Sequence, residues 1–583
     1  MFAGNSSRVN MKVNRRNALS FVAASPFLGG ATSANLTIFE AAKIVTMEPS
    51  APICRFVAVA DGIIVSTANS IAGLEPWTRS RTVTIDRRFA NKVLMPGLID
   101  PHIHPMQSAV MLNIPFIAPD DWSLPSGNYL GVRAEAAYRA RFRQMLAASS
   151  ARPFITWGYH ELFHGTINKQ ILDEIAPDRP VIVWQRSFHD IFVNSAMLHE
   201  WGLDTKSAFD EFFGQSHADP HHVSFENGSF SETGSMAIVN KMRPYILTPD
   251  KISSGMLDLQ KMMTKSGVTT TSDMGTGVFA SFDTEATLIK AAFGRANSPA
   301  RVMLMPMASY VPLDTNLDSW FDALKAKWSS PNIRVDRRIK MLADGAFFAQ
   351  NMRMNAPGYT DGHTGKWITE PEAITAQFAR FWNAGFNLHV HVNGDEGLDV
   401  VLDGIAALPV KPAQTITLEH LGFSTEAQNR RIARLGLMVS AQPNYIRVLG
   451  DAYSRNGLGP DRGASINRLG SLERKGVVLG LHSDFNMAPI DPLYLAWIAA
   501  NRITIGGNVL ASNERISLDK ALRAITIEAA QVIGMDAQIG SIAAGKKADF
   551  AVLDKDPYQI GAARLREIKI HGVIFEGQFT AAT

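Results

Sequence analysis

Eight strand-sized apolar segments, each followed by a stretch of helical character, constrain this chain more than any other feature. They are "VLMPGLID", "GVTTTSDMG", "ARVMLMPMAS", "RIKMLADG", "FNLHVHVNGD", "TITLEHLG", "LGLMVSAQP" and "GVVLGLHSD". Strands that are apolar throughout, rather than alternating, are covered on both faces, and their alternation with helices favours parallel pairing. Eight such units predict an α/β fold closed as a (β/α)8 TIM-like barrel. The chain of 583 residues exceeds one barrel, so further units are expected.

Shorter β-like runs separated by turns occupy residues 35–93, and the same texture returns over 536–583 in "GSIAAGKKADFAVLDKDP" and "IKIHGVIFEGQ". Two half-sets of strands at opposite ends of the chain predict one small β-sandwich. The barrel then spans 94–535. Residues from about 110 to 262, which include the extra strand-like "RPVIVWQRS", read as an insertion over the barrel mouth, where specificity-bearing loops lie.

The extreme N-terminus differs from the rest. Lys12, Arg15 and Arg16 precede a short run of mostly small apolar residues that ends at Thr32-Ser33-Ala34. Residues 1–34 are expected to form a twin-arginine-like export signal, with Met1 or Met11 as the start, which would send the protein to the periplasm or outside the cell. Asn17 and Ala18 stand where such signals usually carry a bulkier apolar residue. If the signal does not act, the protein stays in the cytoplasm.

Composition excludes several classes. A net charge of +3 over this length gives no field for nucleic acid, and no lysine or arginine run supplies one. No apolar stretch approaches the ~20 residues of a membrane-spanning helix. The single cysteine, Cys54, excludes an internal disulfide and a thiolate cluster; it reads as an apolar filler. "GSIAAGKK" falls short of a phosphate-binding loop because Lys547 stands where a hydroxyl is needed, and no G-x-S-x-G elbow is present.

Polar residues gather at the C-terminal ends of the predicted strands, where barrel active sites lie. His102 and His104 share one face at the end of the first strand. Lys340 lies on the fourth, His391 on the fifth, His420 on the sixth and Asp484 on the eighth. An ammonium inside a barrel is costly to desolvate, so its pKa falls, and a neutral amine can take up CO2 as an anionic, bridging carbamate. The alternative for Lys340 is an ion pair with Asp344 or a head group that reaches the surface. His389 shares the face of His391 one layer deeper and is expected in the core. His160, His164, His221 and His222 of the insertion are expected at the surface or pocket rim.

These motifs, together with "GSIAAGKKADFAVLD", make the chain resemble the amidohydrolase superfamily, in the branch that includes N-substituted formamide deformylases. The resemblance covers nearly the whole chain after residue 34. It implies two divalent metal ions, zinc being expected from imidazole and carboxylate donors. His102, His104 and Asp484 would hold the more buried ion, His391 and His420 the more exposed one, and carboxylated Lys340 would bridge them. A metal-bound hydroxide would attack a polarised carbonyl, with Asp484 accepting the proton and returning it to the leaving amine. The family pattern also places His189, Asn194 and Glu232 around the substrate. Ser187-Phe188 replace the usual Asp-Gly before His189, and Asn444-Tyr445 follow "AQP" where a histidine is usual.

The expected activity is hydrolysis of a C–N bond in a small organic molecule, an amide, formamide or carbamate. Trp157, Tyr159, Phe163, Phe188 and Phe192 of the insertion either contact an apolar substrate or pack the lid. Ester or lactone cleavage or deamination on the same site, a mononuclear site, and a non-catalytic binding protein are the alternatives. Homo-oligomerisation is left open.

Overall fold

The structure, a computed structural model, describes residues 35–582. The expected export segment lies outside the described residues.

All eight apolar segments form strands: β1 (Leu98–Ile103), β2 (Val268–Thr276), β3 (Arg301–Pro306), β4 (Arg338–Leu342), β5 (Asn387–Val392), β6 (Ile416–His420), β7 (Met438–Ala441) and β8 (Leu479–Leu481). They are buried almost throughout, as strands with both faces covered must be. Parallel pairing joins β1, β2 and β3 into one sheet, extended by Ile333–Arg334, and β4 to β8 into another in sequence order. Isolated parallel bridges link the two, Met307 with Lys340 at one seam and Ile103 with Phe485 at the other.

The run "VLMPGLID" divides at Gly97. Val93–Pro96 pairs with Phe550–Leu553, whereas Leu98 onward pairs with β2. A Cβ at residue 97 would lie 2.1 Å from Thr269 Oγ1, so glycine is needed where the chain passes this close to β2.

Both chain ends contribute to a single eight-stranded mixed sheet, which includes Leu36–Val45, Ile53–Ala60, Val93–Pro96, Phe550–Leu553 and Ile570–Phe575. The strands expected to form a sandwich belong to this one hydrogen-bonded sheet, in which Val93–Pro96 joins the two half-sets edge to edge. Side-chain alternation gives it an apolar cluster on each face. Phe39, Cys54, Val57 and Phe550 belong to one, Leu36, Ile38, Phe56 and Ala58 to the other.

Between β1 and β2 the insertion builds its own five-stranded sheet, with Val181–Gln185 between Phe154–Tyr159 and Asp190–Val193. Helix Glu232–Ile246 follows this sheet. Helix Pro249–Lys265, assigned to the insertion from sequence, instead packs against Pro105–Met111: a Cβ at Gly255 would lie 2.2 Å from the Ala109 carbonyl.

Candidate metal centre

Strand ends and turns set the positions of the ligand-bearing side chains. Pro105 opens the helix after β1 and has no amide hydrogen for a ladder, so His104 caps that helix at the edge of the sheet. His420 and Asp484 adopt left-handed backbone, with φ of 73° and 49°. Such conformations in residues other than glycine gather at functional sites.

His102, His104 and Asp484 each offer a ligand atom within 4.8 Å of the others, and so do His102, His420 and His482. Asp484 Oδ1 lies 3.6 Å from His102 Nε2 and 3.3 Å from His104 Nε2, and Oδ2 lies 3.6 Å from His420 Nδ1. Donors around a tetrahedral zinc, each ~2.05 Å from it, stand ~3.3 Å apart, so these separations fit an ion. His102 Nδ1 lies 2.8 Å from Glu419 Oε2, and the other oxygen of Glu419 is 2.7 Å from His389 Nδ1. A carboxylate on the far nitrogen fixes the ring and leaves Nε2 free as a donor.

His391 joins the group through its ring, whose centroid is 4.5 Å from that of His420, while its Nε2 lies 3.1 Å from Asn393 Nδ2. The Lys340 ammonium is buried without a hydrogen-bond partner. Its alternative partner, Asp344, accepts instead from the backbone N–H groups of Asn393, Gly394 and Arg353. Both ring nitrogens of His482 and Nδ1 of His420 also lack partners. Buried polar atoms are rarely left so, and unpartnered nitrogens this close together suit a bound cation.

Burial, and then the positive charge of Lys340, lower the pKa of His102 well below its usual value and that of His391 to about 3. Burial also takes His482 to about 4. These rings are therefore neutral near pH 7, the form that ligates metal. His104 is pushed up to about 9, because Asp273 and Asp484 outweigh the opposing effect of burial. Burial lowers Lys340 to about 8 against the opposing charges of Glu419 and Asp484. Asp484 is held below the usual carboxylate range by His102, His104 and His482, although burial alone would raise it.

The insertion adds His189 and Glu232 to the cavity wall, with His189 Nδ1 2.5 Å from Glu232 Oε2 and Asn351 donating to the other carboxylate oxygen at 2.8 Å. Two predicted substrate contacts lie elsewhere. Asn194 is buried as a helix cap: its carbonyl accepts from the Met197 and Val181 amides, and its amide donates to the Ala176 and Arg179 carbonyls. Such local bonding is the usual role of asparagine at a helix start. Trp157 is buried within the insertion, stacked on Phe116 with centroids 4.6 Å apart, and does not line the cavity. Of the aromatic residues singled out in the insertion, Phe188 alone reaches the cavity. His160, His164 and His222 are buried rather than at the rim, and His221 is exposed. His164 bonds to the Val132 carbonyl and accepts from the His160 amide, which ties it into the insertion. His389 occupies the core position expected of it, between Glu419 and Arg338.

Sequence reasoning missed His482 and Glu419. His482 stands two residues before Asp484, the same spacing as His102 and His104, so the face argument used at β1 would have found it. Glu419 was hidden because alternation sends neighbours to opposite faces. The left-handed turn at His420 brings both inward.

Residues 90–581 match the amidohydrolase family. The N-substituted formamide deformylase of Arthrobacter pascens is 31% identical over 195 residues, which cover 33% of this chain and 36% of that protein. The YtcJ protein of Bacillus subtilis (strain 168) is 24% identical over 558 residues, 93% of this chain and 98% of that protein. An uncharacterised metal-dependent hydrolase from Pyrococcus horikoshii OT3 shares the fold, with a TM-score of 0.65 at 18% identity, over 90% of this chain and 98% of that one. The chain belongs to the amidohydrolase family.

Proposed function

We propose that this protein hydrolyses a C–N bond, of an amide, formamide or carbamate, in a small organic molecule. The site would hold two divalent ions, with zinc expected, on His102, His104, His391, His420 and Asp484, and with Lys340 carboxylated between them. His482 is a further donor beside His102 and His420. The parallel bridges at both seams between the two sheets support reading β1 to β8 as one (β/α)8 barrel with these groups at its mouth. The N-terminal segment is proposed to direct export.

The carrying observation is the buried Lys340 amine, without a partner among neutral imidazoles and Asp484. A buried ammonium with no hydrogen-bond partner is costly, and a carbamate would match two cations. Bound ions would supply the positive charge that acidifies water and polarises a carbonyl. Asp484, anionic and 3.3 Å from His104, accepts the proton of the attacking water and returns it to the departing nitrogen. Glu419 holds His102 in one tautomer. His189, braced by Glu232, presents its other ring nitrogen to the substrate.

The test is chelation and rescue. Activity against anilides, formamides and carbamates should vanish when metal is stripped and return with zinc. Esters, lactones and deaminase substrates run alongside; activity confined to those would refute the C–N reading.

A further inference from the structure

Resting on the hydrolase reading above, we propose that the enzyme selects substrates whose group beside the scissile bond is uncharged and apolar, alkyl or aryl, and rejects anionic analogues. Part of the cavity wall comes from the end of strand Val181–Gln185 and its turn, helix Glu232–Ile246 and the loop after β2. These present Trp184, Phe188, Met236, Val239, Val278 and Phe279.

The polar groups set in this wall are already engaged. Trp184 Nε1 and Ser235 Oγ both donate to the Phe188 carbonyl at 3.2 Å. Ser187 Oγ accepts from the His189 amide at 3.0 Å. Glu285 accepts from the Gly277, Phe279 and Ala280 amides at 2.8, 2.6 and 2.8 Å, which commits its carboxylate to the shape of that turn.

Away from the metal-binding group the protein supplies no counter-ion. Among the described residues lining the cavity there is no arginine, and the one lysine is Lys340 in the metal-binding group. His104 and His189 each face carboxylates of the protein, Asp273 and Asp484 for the first and Glu232 for the second. A carboxylate or phosphate on the substrate would therefore lose its water without gaining a partner, which is a strong basis for rejection. An alkyl or aryl group loses only unfavourable hydration.

Direct binding tests this without relying on turnover. Acetohydroxamate, phenylacetohydroxamate and 4-carboxyphenylacetohydroxamate share a metal-seeking head, and their affinities for the zinc-loaded full chain are measured by calorimetry. Phenylacetohydroxamate should bind at least tenfold more tightly than acetohydroxamate and at least 100-fold more tightly than its carboxylated analogue. Met236→Arg should recover tenfold or more for the carboxylated ligand, with folding checked by thermal denaturation and metal content. Equal or tighter binding of the carboxylated ligand by the unaltered chain overturns the proposal, as does failure of all three to bind. Hydrolysis of N-benzylformamide and N-(4-carboxybenzyl)formamide, and of the corresponding acetamides and methyl carbamates, is scored separately. Absence of turnover with the binding order intact refutes the C–N reading and leaves this inference standing.

Discussion

Two buried cations on adjacent parallel strands have opposite surroundings. Arg301, at the start of β3, donates through Nη1 to Asp549 at 2.8 Å and through Nη2 to Glu576 at 2.9 Å, both acids coming from the C-terminal segment. Burial alone would lower its pKa, but the two acids more than offset that and raise it. Lys340, on β4, has no hydrogen-bond partner, and its pKa falls to about 8. The first cluster is complete with the protein's own charges and joins two sheets. The second is short of charge, which is the condition for accepting a ligand. In the (β/α)8 barrel proposed above, this would match the division between a stabilising end and a reactive end.

The contrast can be broken in several ways. Asp484→Asn should lower kcat/KM by about 10³-fold or more, with metal content by mass spectrometry retained; preserved activity would remove Asp484 as the proton carrier. Arg301→Met should cost about 3–5 kcal/mol of stability in denaturant unfolding by stranding Asp549, while kcat/KM of the folded fraction stays within about twofold. Lys340→Met separates the two views of that amine. A merely structural lysine replaced by an apolar side chain leaves stability equal or higher, whereas a bridging carbamate predicts loss of one metal per chain and about 100-fold in activity.

pH sharpens the same point in the metal-free protein. The amine must lose its proton to take up CO2, so with a pKa of about 8 its reactive fraction rises from about a tenth at pH 7 to about nine-tenths at pH 9. His104, lifted to about 9, sheds its proton over an overlapping range and acts in the same direction. At a constant concentration of dissolved CO2, reconstitution with zinc should therefore quicken roughly tenfold between those pH values; a flat profile would contradict the assignment. The smallest effect is expected at Asn194, where Asn194→Ala should cost about 1 kcal/mol of stability and leave KM unchanged.

The eight parallel strands were legible because each is an apolar run of strand length, a signal set by burial on both faces. Convergence of His102, His104, Lys340, His391, His420 and Asp484 was legible for a related reason: strand order and alternation fix which side chains meet. The failures arose where alternation stops applying. Gly97 divides one apolar run between two sheets, which no count of hydrophobic residues reveals. Glu419 follows from a left-handed turn at the next residue. The side chains of Asn194 and Trp157 were misplaced because an asparagine cap and a packed indole look the same in sequence as ligand contacts. Only the tertiary path of the insertion tells them apart.

The sheet shared by both chain ends also orders events during synthesis. Its N-terminal strands leave the ribosome while Phe550–Leu553, the partner of Val93–Pro96, has yet to be made. That edge, with its unpaired amides and carbonyls, stays available to strangers for the length of the intervening translation. Final closure therefore waits until residues 550–553 have emerged, and a chain cut short anywhere upstream of residue 550 would be left with a persistent sticky seam.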